Sequence, residues 1–153
     1  MFLKNAWYVA AWNHEITRDL QQIVVLGEKI CVFRTLAGEL IGLEDACPHR
    51  KLPLSKGRIK GDTVECGYHG LTFDCAGQCV WAPGTGRIPS NAKVHAYPLH
   101  EKYGLVWIWM GNPALADAGD LDHRTVVVEH RVDQAGARGR GQELGTKSDH
   151  AAG

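Results

Sequence analysis

The chain has 153 residues and a formal net charge of zero at pH 7, with 44% hydrophobic and 22% charged residues. This composition is typical of one globular domain and excludes a disordered chain. The charge balance argues against nucleic acid or an anionic membrane as the main partner, because proteins that bind them usually carry a basic excess. The apolar runs are too short to span a bilayer, and the first residues contain no signal-peptide pattern. The sequence therefore predicts a soluble, cytoplasmic protein.

The first 110 residues predict short strands separated by turns. The predicted strands are residues 7–11, 23–26, 29–34, 40–44, 58–59, 63–65, 71–74, 78–81, 94–97 and 103–109. Residues 12–20 could add one short turn of helix. Turn signals at roughly ten-residue spacing are typical of an all-β antiparallel sandwich or a small barrel.

The composition of the chain changes near residue 115. All twelve aromatic residues lie at or before Trp109, whereas residues 117–153 contain 12 of the 34 charged residues and no aromatic residue. A segment with so few apolar side chains buries too little surface to offset the entropy lost when it becomes ordered. We therefore expect a folded unit over residues 1–115, followed by a disordered or non-native tail over residues 116–153.

Cysteine and histidine residues form a definite pattern. The chain has five cysteines, and an odd number in a chain of this kind indicates a metal site or free thiols rather than a disulfide framework. Cys47 and His49 lie in a Cys-Pro-His motif, and Cys66 and His69 lie in a Cys-Gly-Tyr-His motif, with sixteen residues between His49 and Cys66. Each motif follows a predicted strand, so two neighbouring loops can bring the four side chains together.

These motifs resemble the ligand signature of the Rieske [2Fe–2S] domain, and the flanking sequences CPHRKLPLS and CGYHGL agree with it. The opening sequence NAWYVA is similar to that of Rieske oxygenases which demethylate or hydroxylate aromatic acids, notably vanillate O-demethylase oxygenase subunits. The resemblance covers residues 1–115. It implies a Rieske-type antiparallel β-sandwich with a small inserted cluster-binding subdomain at about residues 45–86.

The resemblance also implies the cofactor and its ligands. In this family two cysteines hold one iron and two histidines hold the other. Cys47 and Cys66 are therefore expected to bind the buried iron of a [2Fe–2S] cluster. His49 and His69 are expected to bind the outer iron and to form the electron's exit. Because neutral imidazoles replace two thiolates, the oxidised cluster carries no net charge, and its potential rises into a window of about −150 to +300 mV.

The sequence around the motifs predicts a potential at the low end of that window. Leu52 and Tyr68 stand where high-potential relatives carry an additional pair of cysteines, and Gly70 and Leu71 supply no hydroxyl group after the second histidine. Fewer hydrogen bonds to sulfur leave the reduced cluster less stabilised.

Two further segments lie near the expected cluster. Residues 83–86 (PGTG) resemble the loop that covers the cluster from a third side, although they could equally be ordinary turn residues. A basic stretch is either a solvated rim or a surface that steers an acidic electron donor. Its residues are Arg50, Lys51, Lys56, Arg58 and Lys60.

A Rieske oxygenase also needs a mononuclear Fe(II) held by two histidines and a carboxylate, which this family places in a larger carboxyl-terminal domain. Asp120, His123 and His130 suggest such a motif only superficially. The gap between the histidines is too long, and the β-branched residues 125–128 do not favour one helix. The mononuclear iron is therefore expected only in a full-length relative, and no catalytic residue is assigned here.

Three functions remain open. The chain could be the amino-terminal Rieske domain of an aromatic-acid oxygenase, shortened by truncation or frameshift. It would then carry electrons from a reductase or ferredoxin to a catalytic oxygenase domain or subunit. It could also be a complete stand-alone Rieske ferredoxin, or a binding module stabilised by zinc. The short Cys-x-His spacing disfavours zinc, whose paired ligands are usually two to four residues apart.

Overall fold

The structure is a computed structural model, and it describes residues 2–84 and 86–122. These residues form eleven strands and four short 3₁₀ turns, without any α-helix. The strands are β1 (Ala6–Trp12), β2 (Gln21–Val25), β3 (Glu28–Arg34), β4 (Leu40–Glu44), β5 (Arg58–Lys60), β6 (Thr63–Glu65), β7 (Thr72–Phe73), β8 (Cys79–Trp81), β9 (Ala96–Tyr97), β10 (Leu99–Lys102) and β11 (Leu105–Met110). The 3₁₀ turns are Asn13–Glu15, Leu54–Lys56, Pro113–Leu115 and Ala118–Asp122. Within the described ranges, no helix is long and apolar enough to cross a membrane.

Three antiparallel sheets make up the fold, with strand orders β1-β11-β10, β2-β3-β4-β9 and β5-β6-β7-β8. Side chains from the first two sheets share one apolar core, so these sheets form the sandwich. The third sheet lies between β4 and β9 in the chain and is the inserted subdomain. The predicted all-β antiparallel sandwich with an inserted subdomain is therefore confirmed.

Strand β3 separates two apolar cores, because successive side chains of a strand point to opposite faces. Ile30 and Val32 pack into the core between the two sandwich sheets, whereas Cys31 and Phe33 pack into the core of the subdomain. All four side chains are fully buried. The subdomain core also contains residues from both cysteine-histidine motifs and from the third sheet, including Cys47, Val64, Cys66, Leu71 and Phe73. The sandwich therefore supports the loops that carry the motifs.

Two hairpin turns differ from the prediction. Residues 103–109 do not form one strand, because Tyr103 and Gly104 make the turn between β10 and β11, with φ values of 57° and 75°. The turn predicted at residues 27–28 lies instead at Leu26 and Gly27, with φ values of 50° and 80°. Positive φ at both central residues is typical of the tight turns that match the twist of a hairpin.

Ordered structure continues beyond residue 115. The side chain of Leu121 is buried in a cluster with three tryptophans, Trp7, Trp107 and Trp109. The indole N–H of Trp7 donates a hydrogen bond to the carbonyl oxygen of Asp117 at 2.8 Å. The expectation that disorder begins at residue 116 is therefore wrong for residues 116–122, which cover an apolar face of the first sheet. The rest of the predicted tail, with His123 and His130, lies outside the described residues.

The subdomain also ends later than residue 86. Ala92 and Val94 are buried in its core, and Gln78 forms an isolated antiparallel bridge with Lys93. The segment that leaves β8 therefore crosses the subdomain once more before it joins β9.

Candidate metal centre

The first predicted ligand loop connects β4 with the 3₁₀ turn Leu54–Lys56. The backbone N–H of Cys47 donates to the carbonyl of Leu52 at 2.8 Å, and the N–H of Lys51 donates to the carbonyl of Cys47 at 2.7 Å. Lys51 adopts a φ of 57°, which is uncommon for a residue with a side chain. The loop therefore closes on its cysteine and reverses direction at the fourth residue after it.

The second loop connects β6 with β7 and repeats this arrangement at the same offsets. The N–H of Cys66 donates to the carbonyl of Leu71 at 2.8 Å, and the N–H of Gly70 donates to the carbonyl of Cys66 at 3.1 Å. Gly70 has a φ of 81° and is the counterpart of Lys51. One difference concerns the ligands, because His49 is the second residue after its cysteine and His69 is the third.

A buried carboxylate closes the base of the first loop. Asp45 is only 3% exposed, and it accepts hydrogen bonds from the N–H and the hydroxyl of Ser55, both at 2.7 Å. The side-chain amide of Gln22 donates a third hydrogen bond to Asp45. These bonds fasten the two ends of residues 46–54 to each other and to β2. This role has no local signal in the sequence, because Gln22 lies 23 residues away from Asp45 along the chain.

A second buried carboxylate, Glu65, immediately precedes Cys66. It accepts a hydrogen bond from Arg58 at 2.8 Å and another from Lys60, and both donors lie on the neighbouring strand β5. The pKa of Glu65 lies below its usual value, chiefly because of the hydrogen bond from Lys60. The pairs hold β5 against β6 where the second loop begins.

The two cysteines of the motifs lie in the interior. Cys47 is 2% exposed and Cys66 is 3% exposed. Burial raises the pKa of the Cys47 thiol, and the neighbouring Cys66 side chain raises it further. A metal binds cysteine as the thiolate, so metal binding at this pair must release protons that burial otherwise retains.

The other three cysteines are free thiols outside this pair. Cys31 is fully buried in β3, and burial raises its pKa to about 12. The thiols of Cys75 and Cys79 each donate a hydrogen bond to a backbone carbonyl at 3.2 Å. Burial and these hydrogen bonds are typical of structural thiols.

The two histidines lie on the exposed side of the site. The Nδ1 atoms of His49 and His69 are 3.1 Å apart, and the two ring centroids are 4.7 Å apart. Two nitrogens bound to one tetrahedral metal ion, at the bond length of about 2.0–2.1 Å that applies to zinc, lie roughly 3.3 Å apart. The separation of the Nδ1 atoms is therefore compatible with binding to one ion.

The four donors form an inner sulfur pair and an outer nitrogen pair around a small cavity. The cavity is lined by Cys47, His49, Arg50, Leu52, Cys66, Tyr68, His69 and Leu71. In residues 2–84 and 86–122, no group of three or more His, Cys, Asp or Glu side chains is arranged so that it could hold a single metal ion. A Rieske cluster takes two thiolates on one iron and two imidazoles on the other, so this donor set fits it.

A larger groove of about 470 Å³ opens beside the histidine rings. Its lining residues are Pro48, His49, His69, Leu71, Ala82, Pro83, Arg87, Pro89, Asn91 and Ala92. The structure thus brings Pro83, from the predicted third loop, to the same groove as both histidines, whereas Thr85 lies outside the described residues. Arg87 was not predicted, because it stands in an irregular segment that has no motif.

Residues 6–98 match the Rieske [2Fe–2S] domain. The chain belongs to this family. It is 45% identical over 122 residues to the toluene-4-sulfonate monooxygenase system iron–sulfur subunit of Comamonas testosteroni, covering 79% of this chain and 35% of that protein. It is 39% identical over 123 residues to a vanillate O-demethylase oxygenase subunit of a Pseudomonas species, covering 80% of this chain and 34% of that subunit.

The Rieske fold is also similar to a solved oxygenase structure. The crystal structure of apo dicamba monooxygenase superposes with a TM-score of 0.74 at 43% identity, covering 77% of this chain and 37% of that one. This Rieske chain therefore spans about a third of the length of the relatives that it matches. The predicted family, the fold and the electron-transfer role of a Rieske domain are confirmed. The assignment of individual ligands stays a prediction.

Proposed function

We propose that this Rieske domain transfers single electrons through a [2Fe–2S] cluster held by Cys47, Cys66, His49 and His69. The carrying observation is the placement of two buried thiols behind two exposed imidazoles, on loops with the same hydrogen bonds. When bound, the cluster supplies a redox centre that accepts and releases one electron at a time.

The chain's own residues give this centre a protected side and an accessible side. The buried Cys47 and Cys66 side chains keep water from the sulfur pair, while His49 and His69 face the groove. In this proposal an electron enters and leaves through the imidazole edge, because the opposite side is covered by the subdomain core.

We also propose a reductase or ferredoxin as the electron donor, and a mononuclear-iron oxygenase domain or subunit as the acceptor. The similar proteins are named as oxygenase subunits or parts of monooxygenase systems. The parent reaction would be demethylation or hydroxylation of an aromatic acid with O₂. No disulfide joins the five cysteines of the described residues, which suits a reducing compartment and favours the cytoplasm.

A stand-alone Rieske ferredoxin is the second candidate. Leu121 and the segment around it cover the tryptophan face of the first sheet, so this face needs no further domain to bury it. Reading the coding region downstream of the gene in all three frames discriminates the two candidates. A catalytic-domain sequence there supports the oxygenase, and its absence supports the carrier.

Electron paramagnetic resonance of the dithionite-reduced protein tests the cluster itself, with iron, sulfide and zinc quantified on the same sample. We expect a spectrum with the low average g value of mixed histidine and cysteine ligation. Zinc without iron, after preparation under iron-replete anaerobic conditions, would instead support a zinc-stabilised binding module.

Substitution of single ligands tests the four-residue assignment. His69→Cys and Cys66→Ser should each abolish the Rieske spectrum. Cys75→Ser is the matched control, because the Cys75 thiol donates a hydrogen bond to the backbone carbonyl of Asp62 at 3.2 Å. This variant should leave the spectrum unchanged. An unchanged spectrum in either ligand variant would overturn the assignment.

A further inference from the structure

Asp45 is a buried carboxylate close to Cys47, one of the proposed cluster ligands. Its side chain belongs to a residue that is only 3% exposed, and it precedes Cys47 by two positions. Two residues of chain span at most about 7 Å, so the Cα atoms of Asp45 and Cys47 are no further apart than that. A charge on Asp45 therefore acts on the proposed cluster site at short range.

Uncharged groups supply the hydrogen bonds that the Asp45 side chain accepts. Its Oδ1 atom accepts from the backbone N–H of Ser55, and its Oδ2 atom accepts from the hydroxyl of Ser55, both at 2.7 Å. The side-chain amide of Gln22 also donates to Oδ2. Three donors directed at two oxygen atoms favour the ionised carboxylate, which only accepts. In the part of the chain that the structure describes, no cationic side chain forms an ion pair with Asp45.

The carboxylate at the base of the second loop differs in this respect. Glu65 immediately precedes Cys66, but it forms ion pairs with Arg58 and Lys60. The fields of opposite charges that lie side by side oppose each other at the cluster site. Of the two carboxylates, Asp45 is therefore the one whose negative charge is not neutralised by a neighbour.

A neighbouring thiol is already affected by the charge of Asp45. Cys31 packs in the same apolar core as Cys47 and Cys66. Burial, and after it the negative charge of Asp45, raise the pKa of Cys31 to about 12. Asp45 thus opposes the formation of an anion in this core. An electron added to a cluster in the same core also adds a negative charge, and the same carboxylate should oppose it.

We propose that the unneutralised negative charge of Asp45 lowers the reduction potential of the [2Fe–2S] cluster. This inference rests on the proposed function. Reduction adds one electron to the oxidised cluster, breaks no covalent bond, and gives a product with one more negative charge. A buried anion destabilises that product, because little water lies between the two charges to screen them. Asp45 thus adds a cause of low potential to the scarcity of hydrogen bonds to sulfur that the sequence predicts.

Asp45→Asn tests this role, because it removes the charge and can keep the hydrogen bonds. The oxygen of the new amide can accept from the N–H of Ser55. Its NH₂ group can donate to the hydroxyl of Ser55 and to the amide oxygen of Gln22. Loss of the charge should therefore not release the first loop.

The measurement is the midpoint potential of the cluster-loaded chain, titrated with dithionite at pH 7 and followed by the Rieske resonance. At an effective dielectric constant of about 20, two unit charges about 12 Å apart change an equilibrium constant roughly tenfold. We expect Asp45→Asn to favour reduction by at least this factor. For one electron, a tenfold change raises the midpoint potential by about 59 mV.

Two control variants separate the charge of Asp45 from overall charge and from loosening of the loop. Asp19→Asn makes the same chemical change at an exposed residue before β2, and it should leave the potential unchanged. Ser55→Ala removes the hydroxyl donor but keeps the carboxylate charged, so it should not raise the potential. A potential that reported only a looser loop would rise in Ser55→Ala as it does in Asp45→Asn.

A second pair of variants tests the charge without replacing Asp45. Gln22 is exposed, so its substitution is expected to leave the core intact. Gln22→Lys puts a cation in place of the neutral donor and should raise the potential. The rise should be smaller than in Asp45→Asn, because solvent screens the ammonium group. Gln22→Met has a side chain of similar length without charge, and it should not raise the potential.

The outcomes distinguish the effect of Asp45 from the cluster assignment. If dithionite-reduced wild type shows no Rieske resonance, the proposed function itself fails. If the resonance is present and Asp45→Asn leaves the potential unchanged, the role of Asp45 is overturned. An equal rise in Asp19→Asn or in Ser55→Ala would also overturn it. Where Asp45→Asn binds no cluster, equal potentials of Gln22→Lys and Gln22→Met overturn it instead.

Discussion

Residues 47–52 and residues 66–71 form loops with the same two backbone hydrogen bonds, yet different side chains hold them in place. Asp45 fastens the first loop through the uncharged donors of Ser55 and Gln22. Glu65 fastens the second loop through two cationic side chains, both of which are well exposed to solvent. One backbone arrangement is thus supported by a carboxylate with neutral donors in one loop and by a carboxylate with cationic donors in the other.

The reversal point of each loop also differs. Lys51 and Gly70 both have positive φ, but Lys51 is exposed whereas Gly70 lies beneath the ring of Trp81. The first loop has room for a side chain at the reversal, and the second has little. We therefore expect the stability of the first loop to depend on its buried carboxylate. The stability of the second loop should depend on a glycine and on ion pairs that salt can screen.

The largest effect is expected at the junction of the two loops. Gly57 follows the first loop, and a Cβ atom there would be 2.1 Å from the carbonyl oxygen of Glu65, just before the second loop. Gly57→Ala must displace backbone, so we expect it to lower the free energy of unfolding by about 3 kcal/mol or more. Urea denaturation of the protein measures this loss.

Gly61→Ala is the control for the junction. Gly61 has a φ of 57°, but a Cβ atom there would have no neighbour within 4 Å. We therefore expect this variant to lower the free energy of unfolding only by the strain of a left-handed backbone conformation, about 1–2 kcal/mol. Equal losses for Gly57→Ala and Gly61→Ala would show that close approach of the two loops is unimportant.

The next effect concerns the carboxylates at the bases of the loops. Asp45→Ala leaves the half-buried donors of Ser55 without their acceptor and removes a buried carboxylate, and we expect a loss of about 2–3 kcal/mol in the free energy of unfolding. Glu65→Ala should cost less at low salt, because its cationic partners are exposed. Comparison of the urea midpoints of both variants with wild type gives the two losses.

High salt should distinguish the contributions of the two carboxylates to stability. In 1 M salt the loss from Glu65→Ala should shrink, because exposed pairs are screened within about 3 Å at that concentration. The loss from Asp45→Ala should persist, since its donors are neutral and the carboxylate is buried. If both losses shrink alike, the proposed contrast between neutral and ionic support does not hold.

A third, smaller effect is expected at the reversal points. Gly70→Ala combines positive φ with a close approach to Trp81, and should cost about 1–2 kcal/mol of unfolding free energy. Lys51→Gly should change it by less than about 1 kcal/mol, because relief of backbone strain is offset by greater freedom in the unfolded chain. Thermal unfolding compares them, and a larger loss for Lys51→Gly would reverse the expected order.

Sequence reasoning succeeded where the signal is local. The Cys-x-His and Cys-x-x-His motifs and the β-branched runs of β2 and β3 are read directly from neighbouring residues. The turns at Leu26 and Tyr103 were missed, because an aliphatic or aromatic residue with positive φ gives no turn signal. Pairing of the two strands in each hairpin imposes a positive φ that these residues do not prefer. The position of the chain reversal is therefore visible only once the strands are paired.

Features that depend on distant residues could not be predicted in the same way. The anchoring role of Asp45 needs Gln22 and Ser55 to be brought beside it by the fold. The packing of Leu121 depends on a tryptophan face that exists only once β1 and β11 pair. Composition correctly identified an aromatic-poor segment, but the contacts of residues 116–122 depend on three-dimensional packing.

The smallest effect on the free energy of unfolding is expected at Glu28, which lies outside both loops. Glu28 accepts hydrogen bonds from Lys4 at 2.6 Å and from the hydroxyl of Tyr97 at 2.7 Å. Burial alone would raise the pKa of Glu28, but these two hydrogen bonds outweigh it and leave the pKa below its usual value. The folded-state pKa is thus lower than the unfolded one, so the stabilisation is present above the unfolded value and is lost as the pH falls through the folded value.

Glu28→Gln should therefore lower the free energy of unfolding at pH 7 by less than about 1 kcal/mol, because the carboxylate is partly exposed. At about pH 3 or below, protonation of wild-type Glu28 should make the two proteins nearly equal in stability. Urea denaturation across this range measures the difference. If the difference in free energy of unfolding between wild type and Glu28→Gln stayed constant with pH, the loss would come from side-chain shape rather than from charge.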